Sequence, residues 1–269
     1  MTEAGFDMLA DTLAPPSELA EIPFAEILRK VKLDGEGSLT GQVHRLLHRL
    51  IVSLHLMPNQ FLPEKDVAAA LSVSKTPVRE AFIRLSEEGL MNIVPKIGTY
   101  VAPIDIKRAL KGYFIRESLE SACAERIASQ GTAEDFAVLK RELDEQARHL
   151  GPRDYDAFYI LDNQFHAVMF MVANLPNAKR LVDAAKSEVD RIKGLKSVYR
   201  FCRPEEVLYK EHVAIYDAMR NRDGKLARRH IRDHLTGMNE AIQNILKEEK
   251  LWRLFNTINQ SPRNAGLGN

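Results

Sequence analysis

The chain has 269 residues, 45% of them hydrophobic and 28% charged, with a formal net charge of +1; that length and apolar content allow substantial cores and suggest two domains. The near-neutral balance excludes an overall basic field, so any nucleic-acid contact has to come from a local patch. Two cysteines far apart, Cys123 and Cys202, argue against a disulfide framework or a cysteine zinc site, and an acidic start with no apolar run of membrane-spanning length predicts a cytoplasmic protein with no membrane partner.

Residues 1–36 mix acids with Pro15, Pro16 and Pro23 and run into Gly35 and Gly37, the composition of a mobile N-terminal extension. Within it Phe24, Ile27, Leu28 and Val31 have the spacing of a short docking helix. Thr40 is placed to cap a helix carrying the stripe Val43, Leu46, Leu47, Leu50, Ile51 and Leu54. A second helix, from Pro63-Glu64 to Leu71, buries Val67 and Ala68 and carries Lys65 near its start, within reach of phosphate. After the turn Ser72-Val73-Ser74, a third helix is expected, capped by Ser74 or Thr76 with Pro77 in its first turn. It buries Val78, Ala81, Phe82 and Leu85 and turns Lys75, Thr76, Arg79, Glu80 and Ile83 outward; nothing in the sequence explains an outward Ile83. Gly89 ends it, and MNIV, Pro95-Lys96-Ile97-Gly98 and TYVA read as a hairpin.

Helix, turn, helix and wing thus occupy residues 37–103, a winged helix-turn-helix whose cationic outer face suits a major groove. The candidate DNA contacts are Lys65, Ser74, Lys75, Thr76, Arg79, Lys96 and Gly98. Seven Lys and Arg against five Asp and Glu in residues 40–104 make one copy a weak, salt-sensitive binder. Two copies on one duplex are expected.

After Pro103 only helical periods continue, predicting helices over about 105–129, 132–149, 154–174, 177–200, 204–221 and 225–248. Thr132 and Asp135 form a capping pair. Short connections imply an all-α antiparallel bundle over 104–250, followed by a tail from 251 to 269. Asp162 and His166 lie four residues apart, on one helical face, which suits two ligands of one metal. His212 and His234 on later helices could complete a three-histidine, one-carboxylate set for a divalent ion such as Zn, Ni or Mn. Taken singly, each histidine reads more simply as a surface or hydrogen-bonded residue.

The segment VSKTPVREAFIRLSEEGL closely resembles the DNA-binding signature of the GntR superfamily of transcriptional regulators. It departs from that pattern at Met57-Pro58-Asn59-Gln60, where the family has a Pro-Gly turn; Asn59 tolerates the left-handed conformation a glycine would take. DNQFHAVMFMVANLPNAKRL and EHVAIYDAMRNRDGKLA resemble the FCD sensor domain of the FadR-like branch. That resemblance implies a metal held by Asp162, His166, His212 and His234, with His234 favoured over His230 because it precedes Leu235 in the family's terminal HL pair. It also implies that Arg116 faces a small carboxylate effector, although a pair with Glu120 four residues on is an equal alternative. Asn177 matches a family asparagine at a helix start, where capping is its simpler job. Tyr113, Phe114, Phe165, Phe170 and Met171 are expected in core or cavity. Together these features predict a homodimeric, ligand-responsive repressor on an inverted-repeat operator. The alternatives are a metal-dependent hydrolase, opposed by the lack of HExxH, nucleophile-elbow and phosphate-loop motifs, and a helical scaffold with a vestigial metal site.

Overall fold

The computed structural model describes residues 23–151, 155–194, 204–247 and 249–260. Two compact units result: Met1–Ile104 with Asp190–Leu195 and Lys250–Asn269, and Asp105–Val189 with Lys196–Glu249.

In the first unit α1 (Phe24–Lys30), α2 (Leu39–Val52), α3 (Glu64–Ala70) and α4 (Lys75–Glu87) precede the strands β1 (Met91–Val94) and β2 (Gly98–Val101). Apolar side chains at helical spacing in α2 and α4 interlock, α3 packs on α4 and α1 packs on α3. Val43, Leu46, Leu47 and Leu50 of α2 meet Val67 of α3, and Val78, Phe82 and Leu85 of α4, in one core. The strands pair antiparallel, Met91 opposite Val101 and Val94 opposite Gly98. Gly98 has φ +144°, and a Cβ there would lie 2.3 Å from Cε2 of Phe61, so the wing closes only over a glycine.

Three expectations for this unit change. Ser38, not Thr40, caps α2, its hydroxyl accepting from the Gly41 N–H at 3.2 Å, while the Thr40 hydroxyl donates to Glu80 at 2.7 Å. Ser74 occupies the N-cap position of α4 without a side-chain cap bond. A cap oxygen takes an N–H from the second or third helical residue, and the third here is Pro77, which has none. The docking helix exists as α1, with Ile27 and Leu28 buried in the core, inside the stretch read as a mobile extension. Residues 1–22 of that extension lie outside the described residues. Asn59 is left-handed, φ 62°, as its place in the turn requires.

The second unit is built from α5 (Ile106–Gln130), α6 (Ala133–Arg148), α7 (Tyr155–Val172), α8 (Pro176–Gly194), α9 (Glu205–Arg220) and α10 (Gly224–Lys247). From Asp190 onward α8 is counted with the first unit. The expected helix over 177–200 is described only to Gly194, and Cys202 lies outside the described residues. α10 runs along α5 and α9, and α6 packs on α7 and α9. Thr132 and Asp135 form a complete capping box on α6. A Cβ on Gly112 of α5 would lie 2.2 Å from the Ala185 carbonyl oxygen of α8, so the two backbones touch at this position. Gly112→Ala is therefore expected to cost about 1–3 kcal/mol by forcing the helices apart. Urea unfolding reads this directly; a curve superimposable on that of the wild type would show that the helices do not approach so closely.

The stretch read as a tail from residue 251 is instead helical as α11 (Glu249–Gln260). Asn259 fixes it to the first unit: its Oδ1 accepts from the Ile104 N–H at 2.6 Å, its Nδ2 donates to the Ile104 carbonyl at 3.1 Å, and its own carbonyl accepts from Asn59 Nδ2 at 2.6 Å. Nearby, buried Arg191 donates to the carbonyl of Ala102 at 2.5 Å. Sequence periodicity carries no sign of this, because a side-chain amide bonded to backbone leaves no repeat.

Candidate metal centre and nucleic-acid interface

Burial of Val78, Ala81, Phe82 and Leu85 under α4 leaves Lys75, Thr76, Arg79, Glu80 and Ile83 exposed on its other face. The Arg79 side chain is 69% exposed and lies 3.3 Å from Glu64, an ion pair at the surface. Such a pair contributes about 0–1 kcal/mol, so exchanging Glu64 for a base or phosphate costs little. Lys65, Ser74 and Lys96 are exposed and Gly98 is half-buried. Ile83 is 45% exposed and Ile97, at the wing turn, 66%; the structure gives no packing reason for either.

In the helical unit, one turn of α7 brings Asp162 and His166 together, α9 supplies His212 and α10 supplies His234. All four are buried, and a donor atom from each lies within 4.8 Å of the others. Two donors of one ion stand at most about 4.2 Å apart, twice a bond of about 2.1 Å, so the set would have to draw together by about half an ångström or more to close on an ion. The Nε2 atoms of His166 and His234 are buried with no hydrogen-bond partner, and His212 Nε2 is 3.5 Å from Asp162 Oδ1. Phe165 stacks on His212, ring centroids 4.6 Å apart, and stands edge-on to His166. The residue types, the inward nitrogens and the single carboxylate fit a divalent first-row ion.

Each ring also has a group behind it. His212 Nδ1 is 2.9 Å from Gln146 Oε1, and His234 Nδ1 is 2.7 Å from Glu211 Oε2. His166 Nδ1 is 2.7 Å from Glu120 Oε2, close but not aligned as a hydrogen bond. Burial, partly offset by Glu211, shifts His234 below the ordinary histidine range. Burial pushes the Glu120 carboxyl up, but Arg116 and His166 outweigh it and hold the group well below the usual carboxylate range. Gln146 continues the buried stripe Phe136, Leu139, Leu143, and a polar residue on such a stripe is the signal that could have found it. Glu211 had no such signal.

Of the effector candidates, Arg116 is buried, 3% exposed, with Nε 2.7 Å from Glu120 Oε1 and Nη1 3.1 Å from Met238 Sδ. Asn177 is exposed on the first turn of α8, and its Oδ1 accepts from Arg180. His230 stands outside the four-ligand cluster, in the wall of a cleft with Glu211 and His234. Phe165 and Phe170 are core, whereas Phe114 and Met171 are 72% and 61% exposed, against expectation. The buried Cys123 thiol is pushed up to about 12 by burial and is inert at neutral pH.

Residues 39–101 match the family described as bacterial regulatory proteins, gntR family, and residues 112–237 match the FCD domain. Over 223 residues, 83% of this chain and 97% of its relative, the sequence is 34% identical to the HTH-type transcriptional repressor RspR of Escherichia coli (strain K12). It is 26% identical over 220 residues to the Nta operon transcriptional regulator of Aminobacter aminovorans, covering 80% of this chain and 100% of that one. The fold is shared with E. coli McbR/YncC, at a TM-score of 0.64 and 22% identity over 82% of this chain and 100% of that one. It is shared too with a GntR regulator from Rhodococcus sp. RHA1, at 0.58 and 25% identity over 79% and 99%. Among the described residues no helix is long and apolar enough to cross a membrane. The matches to the gntR family and to the FCD domain, with 34% identity to RspR over 83% of the chain, make this chain a transcriptional regulator of the GntR family.

Proposed function

We propose that the protein is a ligand-responsive repressor of the FadR-like branch that binds an inverted-repeat operator as a homodimer and senses a small carboxylate at a divalent metal. The observation that carries the sensing half is the buried convergence of Asp162, His166, His212 and His234. These four would hold the ion, and when bound it supplies vacant coordination positions to carboxylate oxygens. Asp162 contributes the one negative charge, and the imidazoles bind as neutral ligands. Arg116 offers a guanidinium on the Glu120 side of the cluster, where an incoming carboxylate would share it with Glu120. Asn177 faces solvent beside Arg180 and has no such link to the cluster.

An effector shifts the operator equilibrium only by its differential affinity for the two states. Repression follows the name of RspR, and release of DNA on effector binding is the expected sign. The test is a thermal-shift screen of small mono- and dicarboxylates with and without added zinc, followed by gel shifts on a duplex from the chain's own upstream region. A carboxylate that raises the melting temperature only with metal and weakens the shift supports the reading; stabilisation indifferent to metal overturns it.

For the DNA half, Lys65, Ser74, Lys75, Thr76, Arg79, Lys96 and Gly98 are the proposed contacts. Arg79→Ala is expected to cost about 1–3 kcal/mol on the upstream duplex, with a smaller loss on random duplex, if its fork reads a guanine. Equal losses on both would reassign Arg79 to phosphate.

A further inference from the structure

We propose that Glu211 is a positioning residue for the metal cluster: its carboxylate accepts from Nδ1 of His234 and so turns the ring's lone-pair nitrogen toward Asp162, His166 and His212. The proposal rests on the metal reading above. A neutral imidazole carries one N–H, and the acceptor it faces decides which nitrogen bears it. With Glu211 Oε2 2.7 Å from Nδ1, the hydrogen belongs there. Nε2, buried with no hydrogen-bond partner, is then the nitrogen with an electron pair to donate. Groups that orient metal-bound histidines in this way change metal affinity by about 10–100-fold when removed.

The three rings are not held alike. Gln146 serves His212 with an amide oxygen and also donates to the Leu161 carbonyl. Glu120, behind His166, is committed to buried Arg116. Glu211 alone of the three is partly exposed, its side chain at 30%, lining a cleft of about 290 Å³ with Val207, Lys210, Ala214, His230 and Asp233. Its acceptor can be removed without stranding a buried charge.

The experiment is zinc affinity by chelator competition on the full chain, with melting of the metal-free proteins in chelator as the check on folding. Glu211→Leu is expected to weaken zinc 10–100-fold with little change in metal-free melting temperature. Glu211→Gln, which keeps an acceptor oxygen as Gln146 does, is expected to recover affinity to within a few-fold. Lys210→Ala, in the cleft wall but not on His234, is expected to bind as wild type. Wild-type affinity in Glu211→Leu, equal loss in Leu and Gln variants, or equal loss in Lys210→Ala overturns the role of Glu211. Failure of the wild-type chain itself to bind zinc overturns the metal reading instead, so the two failures are distinguishable.

Discussion

His212→Ala combined with His234→Ala is expected to leave a folded protein that no longer retains stoichiometric zinc. Donor count decides the outcome. Removing the contributions of α9 and α10 leaves Asp162 and His166, two donors from one turn of α7, fewer than the three or four protein donors by which zinc sites retain their ion. Metal analysis after dialysis against zinc and then buffer reads the loss. Thermal melting reads it independently, because a ligand at 100 times its dissociation constant stabilises by about 2.7 kcal/mol and an absent site removes that increment. Circular dichroism separates loss of metal from loss of fold. Full zinc content in a folded double variant would reject the cluster.

Arg116→Ala is expected to destabilise the metal-free protein by about 3–5 kcal/mol, because it leaves Glu120 charged, buried and without its cationic partner. The two side chains are 3% and 1% exposed and 2.7 Å apart, so water cannot take over from the guanidinium. Replacing both members with apolar residues, as in Arg116→Met with Glu120→Leu, is expected to recover most of the loss, since desolvation and attraction nearly cancel in a buried pair. Urea unfolding in chelator compares the three proteins. A cost below about 1 kcal/mol for Arg116→Ala, the range of an exposed pair, would mean that the pair is open in solution and that the guanidinium serves a ligand more than the fold.

Patterns local in sequence were readable and long-range bonds were not. The face of α4 follows from the spacing of Val78, Ala81, Phe82 and Leu85, and the capping box of α6 from Thr132 and Asp135, because helical periodicity and capping are written within a few residues. The pairing of Asp162 with His166 was equally local, whereas His212 and His234, on later helices, were offered by residue type alone until the family resemblance singled them out. Ser38 displaced Thr40 as a cap because both hydroxyls satisfy the sequence rule and only the backbone decides between them. Ser74 fits the residue rule for a cap, but Pro77 removes the third-residue amide that its hydroxyl would have met. Glu211 stands next to His212 in the chain yet serves His234, a relation set by the packing of α9 on α10. Phe114 and Met171 failed as core residues because an apolar side chain on a helix does not itself say which side is covered.

The hydrogen bonds of Asn259 join residues separated by 155 and 200 positions. During synthesis the winged helix therefore emerges without this brace and waits for it, roughly 8–40 seconds at ordinary elongation rates, while the helical unit is translated in between. A stop codon or a fusion tag placed at the carboxyl end would on this account injure the amino-terminal half of the molecule first.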